Sequence, residues 1–210
     1  RPNARSPRRS APSTCRSTRL WRNQRLGGGL SVAPPLTHTS APVIVGERVI
    51  LRPHRATDID AIAALYQSER AAWIGGQQNR TVAWRWLGYD VGQWGLLGFG
   101  SWAIDDLKKG EFAGQVGLNC PGNFPEIELG WLLFDGFERR GLAFEAASLA
   151  RRFAFETLGL TTLVSYIDPG NHRSIRLAER LGATLDRDAP TPDGDACLVY
   201  RHGRDGSVHI

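Results

Sequence analysis

Between positions 101 and 134 the chain reads as three strands separated by two tight turns, with no helix among them. Ser101-Trp102-Ala103-Ile104 leads to a polar turn ending in Lys108-Lys109-Gly110, and 112–118 reads as the returning strand of a hairpin. Pro121-Gly122-Asn123 supplies the next turn, and 126–134 is a long strand. Parallel strands need crossovers of a dozen residues or so, so this antiparallel meander argues against a doubly wound nucleotide-binding fold.

Other elements flank the meander. Residues 47–53 form a strand stopped by Pro53, and Thr57 caps a helix carrying Ile59, Ile62, Ala63, Leu65 and Tyr66. A second helix spans 81–94, with Trp84, Leu87, Val91 and Trp94 on one face and Gly95 and Gly98 at its end. After the meander come a helix over 141–158, a buried-type strand over 162–167, a helix over 171–181 closed by Gly182, and a short strand over 197–200. The fold class is α/β with a mixed sheet.

Charge divides the chain in two. Residues 1–46 hold eight of the 26 basic residues, all Arg, and no acid, so the remainder carries 18 basic residues against 21 acids, a net charge of −3. The Arg/Pro/Ser-rich stretch 1–42 cannot bury enough apolar surface to offset its ordering entropy and is expected to be disordered. The globular domain is expected over 43–203, with a flexible end at 204–210. A mildly acidic body does not grip nucleic acid by bulk charge, and no apolar run is long enough to span a membrane. Cys15, Cys120 and Cys197 lie far apart without a Cys-x-x-Cys pair, so no metal site is indicated. The expected location is cytoplasmic.

The chemistry concentrates in two segments. The first, Gly130-Trp131-Leu132-Leu133-Phe134-Asp135-Gly136-Phe137-Glu138-Arg139-Arg140-Gly141-Leu142-Ala143, is a strand, a tight loop and a helix start. Unpaired N–H groups and the positive dipole end at such a start favour an anion, and Gly141 and Ala143 leave room for close backbone approach. The second, Asp168-Pro169-Gly170-Asn171-His172-Arg173-Ser174, follows the next strand and opens the next helix, with Asn171 placed as an N-cap.

These two segments, in this order and spacing, resemble those of the GNAT superfamily of acetyl-CoA-dependent N-acetyltransferases, and more narrowly its RimJ/RimL-like branch. The resemblance covers 46–201. It implies a mostly antiparallel central sheet with helices on both faces, splayed at its central strands. It further implies acetyl-CoA as co-substrate, an amine acceptor, direct attack in a ternary complex, and no metal. Glu138 to Ala143 match the family's pyrophosphate motif Gln/Arg-x-x-Gly-x-Gly/Ala, except that Glu138 stands where the family has Gln or Arg. The backbone of Trp131, Leu132, Leu133 and Phe134 would pair with the pantetheine arm, with Leu133 the best single candidate. Arg139, Arg140, Gly141 and Leu142 would line the pyrophosphate, and Asn171 would bond the cofactor arm. Glu128 matches the family's general base. Strand alternation sets Glu126 on the same face as an alternative, and both also read as solvated edge carboxylates. Ser174 matches a serine that hydrogen-bonds the departing thiolate, while Ala178 holds the place of a Tyr that many members use. Trp73, in a glycine-rich loop between helices, is the candidate acceptor wall. A catalytically silent acyl-CoA-binding module is the alternative, and the expected assembly is a monomer or homodimer.

Overall fold

One eight-stranded sheet organises the protein, in the order β1-β2-β3-β4-β5-β6-β8-β7. The structure is a computed structural model and describes residues 39–192 and 196–204. The expectations for the Arg-rich tail and the C-terminal end therefore fall almost entirely outside the described residues. The strands are β1 (Ile44–Val45), β2 (Val49–Arg52), β3 (Ser101–Asp106), β4 (Glu111–Asn119), β5 (Glu128–Leu133), β6 (Leu163–Ile167), β7 (Thr184–Leu185) and β8 (Leu198–His202). The helices are α1 (Ile59–Gln67), α2 (Arg80–Leu97), α3 (Leu142–Arg152) and α4 (His172–Arg180), with 3-10 turns at Ala56–Asp58 and Glu69–Trp73.

The expected meander is present. β3, β4 and β5 pair antiparallel in sequence order, with a register shift between Ile104 and Asp105. The two-residue strands β1 and β7 are additions too short to show a period. Thr57 lies inside the first 3-10 turn rather than capping a helix. Asn79, not expected as a cap, accepts the Val82 N–H and starts α2, which runs through Gly95 and ends at Gly98, φ 76°.

The Trp stripe on α2 divides. Leu87 and Trp94 are buried while Trp84 and Val91 are exposed, and the polar Gln93 is buried in their place. Trp94 packs edge-on against Trp102 of β3, their ring centres 4.7 Å apart, and Phe153 closes the cluster at 5.2 Å from Trp102. Phe153 begins a π turn over Phe153–Thr157 that continues α3. On α3 itself Leu142, Ala146, Ala147, Leu149 and Ala150 are buried, a helical period whose alanines let the axis lie close to the sheet. Each fully buried Leu along these faces contributes about 2 kcal/mol relative to exposure.

The functional consequence lies between β5 and β6. They run parallel and share one bridge pair, Glu128↔Val164. The Val164 N–H reaches the Ile127 carbonyl at 3.1 Å, and the Ser165 hydroxyl takes the Leu129 carbonyl at 2.6 Å. Beyond that point the two strands part.

Candidate active site

The parting strands form a V with its vertex at Glu128. The Phe134 N–H donates to Ala113 of β4, so the Leu133 carbonyl, on the other side of the same peptide, points into the V. Alternation then gives the slot edge of β5 the N–H and C=O of both Trp131 and Leu133. The same alternation turns the Leu132 backbone toward β4, and there Gly114 is required: a Cβ on it would lie 2.2 Å from the Leu132 carbonyl oxygen.

The loop after β5 bends through Gly136 at φ 82° and Arg139 at φ 60°, and α3 starts from Gly141 at φ 78°. Gly141 is the N-cap, and among the described residues no side chain caps the first N–H groups of the helix. A Cβ at Gly141 would meet only Arg48 Nη1, at 3.4 Å, so its conformation rather than crowding calls for glycine. Leu142 is buried, and Ala143 lies in the open first turn. Arg139 is exposed, while Arg140 pairs at 2.7 Å with the buried Asp106. A cleft of about 430 Å³ beside this helix start is lined by Arg48, Lys108 and Arg140 against Glu47 and Asp106.

Glu138 is held by its own loop and by arginines from two other elements. It accepts the Gly136 N–H at 3.0 Å and pairs with Arg70, with Arg173 at 3.9 Å. Burial pushes its carboxyl up, but backbone donors and Arg70 outweigh that and hold it below the usual carboxylate range. On the opposite wall Asn171 caps α4, its Oδ1 accepting the Ser174 N–H at 3.2 Å. Ser174 is half-buried, and its hydroxyl makes no hydrogen bond among the described residues. Trp73 is 48% exposed and packs on Gly170, where a Cβ would lie 3.3 Å from its ring. It therefore bridges toward the β6–α4 loop.

The vertex is polar by design of the sheet register. Ser101, Gln115, Gly117, Asn119, Glu128 and Gly130 share one sheet face, because Ser101 pairs with Gly117, Gly117 with Gly130, and Asn119 with Glu128. α2 covers that face with Asp90 and Gln93. The Cys120 N–H donates to Gln93 Oε1 at 3.3 Å, Gln93 Nε2 donates to Asn119 Oδ1 at 3.2 Å, and Asn119 Nδ2 donates to Glu128 Oε2 at 3.4 Å. A backbone donor thus fixes two amide orientations in turn and aims the last N–H at the Glu128 carboxylate. Burial pushes the Glu128 carboxyl up to about 7, against Asn119 and a backbone bond at Tyr166 that favour the charged form. Asp90 accepts from Ser101 and Gln115 at 3.0 Å each. Burial pushes its carboxyl up as well, opposed by His54, Ser101 and Gln115. Gln115 Nε2 also lies 3.1 Å from His54 Nε2. His54 Nδ1 faces Asp58 at 3.5 Å.

Glu126 stands apart from this network. It lies before β5, and Arg201 grips both its oxygens at 2.8 and 2.9 Å while also holding Asp186 and Thr162. Glu128 and Asp90 have no ion-pair partner among the described residues. The sequence reading missed Asp90, Gln93, Asn119, Gln115 and Arg70. The one local signal was a run of polar residues, Tyr89, Asp90 and Gln93, inside a helix otherwise read by its tryptophans. Among the described residues no group of His, Cys, Asp and Glu is placed to hold a metal ion, and no helix is long and apolar enough to cross a membrane.

Comparison with known proteins gives the same architecture a family. Residues 48–184 match the acetyltransferase (GNAT) domain model. An acetyltransferase from Agrobacterium tumefaciens is 40% identical in sequence, with a TM-score of 0.74 over 86% of this chain and 99% of that one. A protein from Bordetella pertussis assigned to the GNAT family is 27% identical, with a TM-score of 0.65 over 78% of this chain and 100% of that one. Among curated proteins, the uncharacterized protein YkkB of Bacillus subtilis is 28% identical over 112 residues, 52% of this chain and 65% of that protein's length. The chain belongs to the GNAT acetyltransferase family, a family of acetyl-CoA-dependent acyltransferases.

Proposed function

We propose that the protein is an N-acetyltransferase that passes the acetyl group of acetyl-CoA to a primary amine by direct attack in a ternary complex, with Glu128 as general base. The observation that carries this reading is the Glu128 carboxyl, half-buried at the vertex of the V, unpaired with any described cation and pushed up to about 7. A carboxylate near neutrality is matched to accepting a proton at physiological pH, which a protonated amine must lose before attack. Glu126, gripped by Arg201, is the weaker candidate.

The residues present fit the co-substrate. The β5 edge at Trp131 and Leu133, with no described strand laid against it, suits a chain carrying amides, as an added strand would. The N–H groups after Gly141, with no side-chain cap, suit a pyrophosphate. Leu132, Phe134, Arg139, Arg140, Leu142 and Ala143 frame those two contacts, and Asn171 keeps its amide nitrogen for the arm while its oxygen caps α4. When bound, the co-substrate supplies a thioester-activated acetyl group and a thiol leaving group. The Leu133 N–H faces the slot as a donor for charge that develops during transfer. The Ser174 hydroxyl is held in the first turn of α4 as a donor to the departing sulfur. Trp73 walls the acceptor side.

The Asn171 and Ser174 pair supports the RimJ/RimL-like branch. A Vibrio cholerae structure described as a putative ribosomal-protein-serine acetyltransferase shares the fold at 24% identity. The acceptor is then a protein N-terminus or a small amine. Free-thiol release from acetyl-CoA, measured with a panel of N-terminal peptides, polyamines and aminoglycosides, tests the assignment. Release that depends on an amine, with acetylated product seen by mass spectrometry, supports it. Binding of coenzyme A without amine-dependent release by any acceptor leaves a silent acyl-CoA-binding module.

A further inference from the structure

The loop that leads into α3 contradicts its own purpose in one respect. It carries Asp135 and Glu138 next to a helix start suited to an anion, and Glu138 stands where the family motif has Gln or Arg. Of the two arginines that follow, Arg140 is taken by Asp106. The positive charge comes instead from a different part of the chain. Arg70, in the 3-10 turn after α1, places Nη1 on both Asp135 Oδ1 and Glu138 Oε1, and Nη2 donates to the Leu133 carbonyl at 2.8 Å. Arg173 of α4 adds a longer contact to Glu138 at 3.9 Å. Three residues after Arg70, Trp73 packs on Gly170 across the V, so one short turn is pinned to both walls.

We propose that Arg70 is the neutralising residue of the phosphate seat, a positioning residue that cancels Asp135 and Glu138 so that the loop accepts a pyrophosphate. This rests on the reading of the V as an acyl-CoA slot. A guanidinium suits the task because its planar fork meets the carboxylates and the carbonyl from separate nitrogens, where a lysine offers a single ammonium. The Leu133 carbonyl has a second lone pair, so Arg70 leaves it able to accept from a bound amide. Removing Arg70 would leave two carboxylates facing an incoming polyanion. Removing Glu138 as well would relieve most of that repulsion. The dependence on Arg70 is therefore conditional on Glu138 and confined to the phosphate-bearing ligand, a combination that a purely structural ion pair would not produce.

Calorimetry of coenzyme A and of pantetheine, which lacks the phosphates, tests this on the parent, Arg70→Gln, Glu138→Gln and the double variant. Arg70→Gln keeps a donor for Leu133 and loses the charge. Circular dichroism and melting temperature verify that each variant is folded, and Arg70→Lys substitutes if Arg70→Gln is not. The expected result for Arg70→Gln is a loss of coenzyme A affinity of about tenfold or more with pantetheine changed less than about twofold. The double variant should recover most of the loss. For Arg70→Lys a smaller loss, in the same ligand-selective pattern, is expected. Coenzyme A bound equally by parent and single variant overturns the proposal, as does equal loss for both ligands or a double variant no better than the single. A parent that binds no coenzyme A overturns the acyl-CoA reading itself and this inference with it.

Discussion

The two arms of the site are built in different ways. The proposed cofactor wall is made of backbone: the slot edge at Trp131 and Leu133 and the helix start at Gly141 belong to one continuous stretch. The proposed acceptor floor is made of side chains from four elements and the loop after β2: the sheet register aligns Ser101, Gln115, Asn119 and Glu128, and α2 and that loop lay Asp90, Gln93 and His54 against them. A backbone site tolerates changed side chains and fails when the chain path changes. A side-chain network fails when a single amide loses its orientation. The same contrast separates affinity from turnover: damage to the wall should appear in cofactor binding, damage to the floor in the pH dependence of catalysis.

The sharpest break in that contrast is Glu128→Gln. It should lower kcat/KM about 10²-fold with coenzyme A affinity unchanged. The parent rate should rise with pH through about 7 as the carboxylate ionises, and the variant should lose that limb. A pH–rate profile from about 6 to 9 that matches the parent would remove Glu128 as base. Stability should move the other way. Because the folded carboxyl is raised above its unfolded value, the parent is favoured below the unfolded value and loses that advantage as pH rises through about 7. Near pH 8 the variant should be more stable by about 3 kcal/mol, read from urea unfolding, and the gap should close in acid.

On the wall, Gly141→Glu combines a strained left-handed position with a negative charge at the helix start. Coenzyme A affinity should fall by at least about tenfold, measured by calorimetry. Affinity equal to the parent in a folded variant would show that the helix start holds no phosphate.

Asn119→Ala probes the floor more gently. It deletes a donor that favours the charged carboxylate, so the acid limb of kcat/KM should move to higher pH, toward a rate about three- to tenfold lower at pH 7. Tyr89 and Tyr166 also interact with Glu128 and stay in place in this variant. An unmoved limb would mean that the Gln93–Asn119 chain does not control Glu128.

The smallest effect belongs to Glu126→Gln. It weakens the grip of Arg201 and should cost about 1 kcal/mol of stability with turnover within about twofold of the parent. A crippled Glu126 variant would exchange the roles of the two carboxylates.

Legibility in the sequence followed the same division. The meander, the loop with Gly141 and the cap at Asn171 each sit within a few consecutive residues, so turn chemistry and period revealed them. The departure of Glu138 from the motif was visible, but its partner Arg70 lies 68 positions earlier, and only the fold brings them together. Asn119 and Glu128 are nine positions apart, yet their opposition depends on the β4–β5 register. The α2 stripe misled because Trp84 and Val91, apolar and correctly spaced, are exposed, while Gln93 is buried to serve Asn119. Periodicity reports apolar faces and has no means of marking a polar residue that is buried for its hydrogen bonds.

The order of the last three strands carries a consequence for synthesis. β8 lies between β6 and β7, and pairs with both. As the chain leaves the ribosome, β6 emerges with its outer edge bare, and β7 follows with nothing to join. That outer edge and the whole of β7 stay without a partner strand until Leu198–His202 has been translated. A ribosome that stalls within the preceding segment would therefore hold out a half-finished sheet whose open edge is free to recruit a strand from another nascent chain.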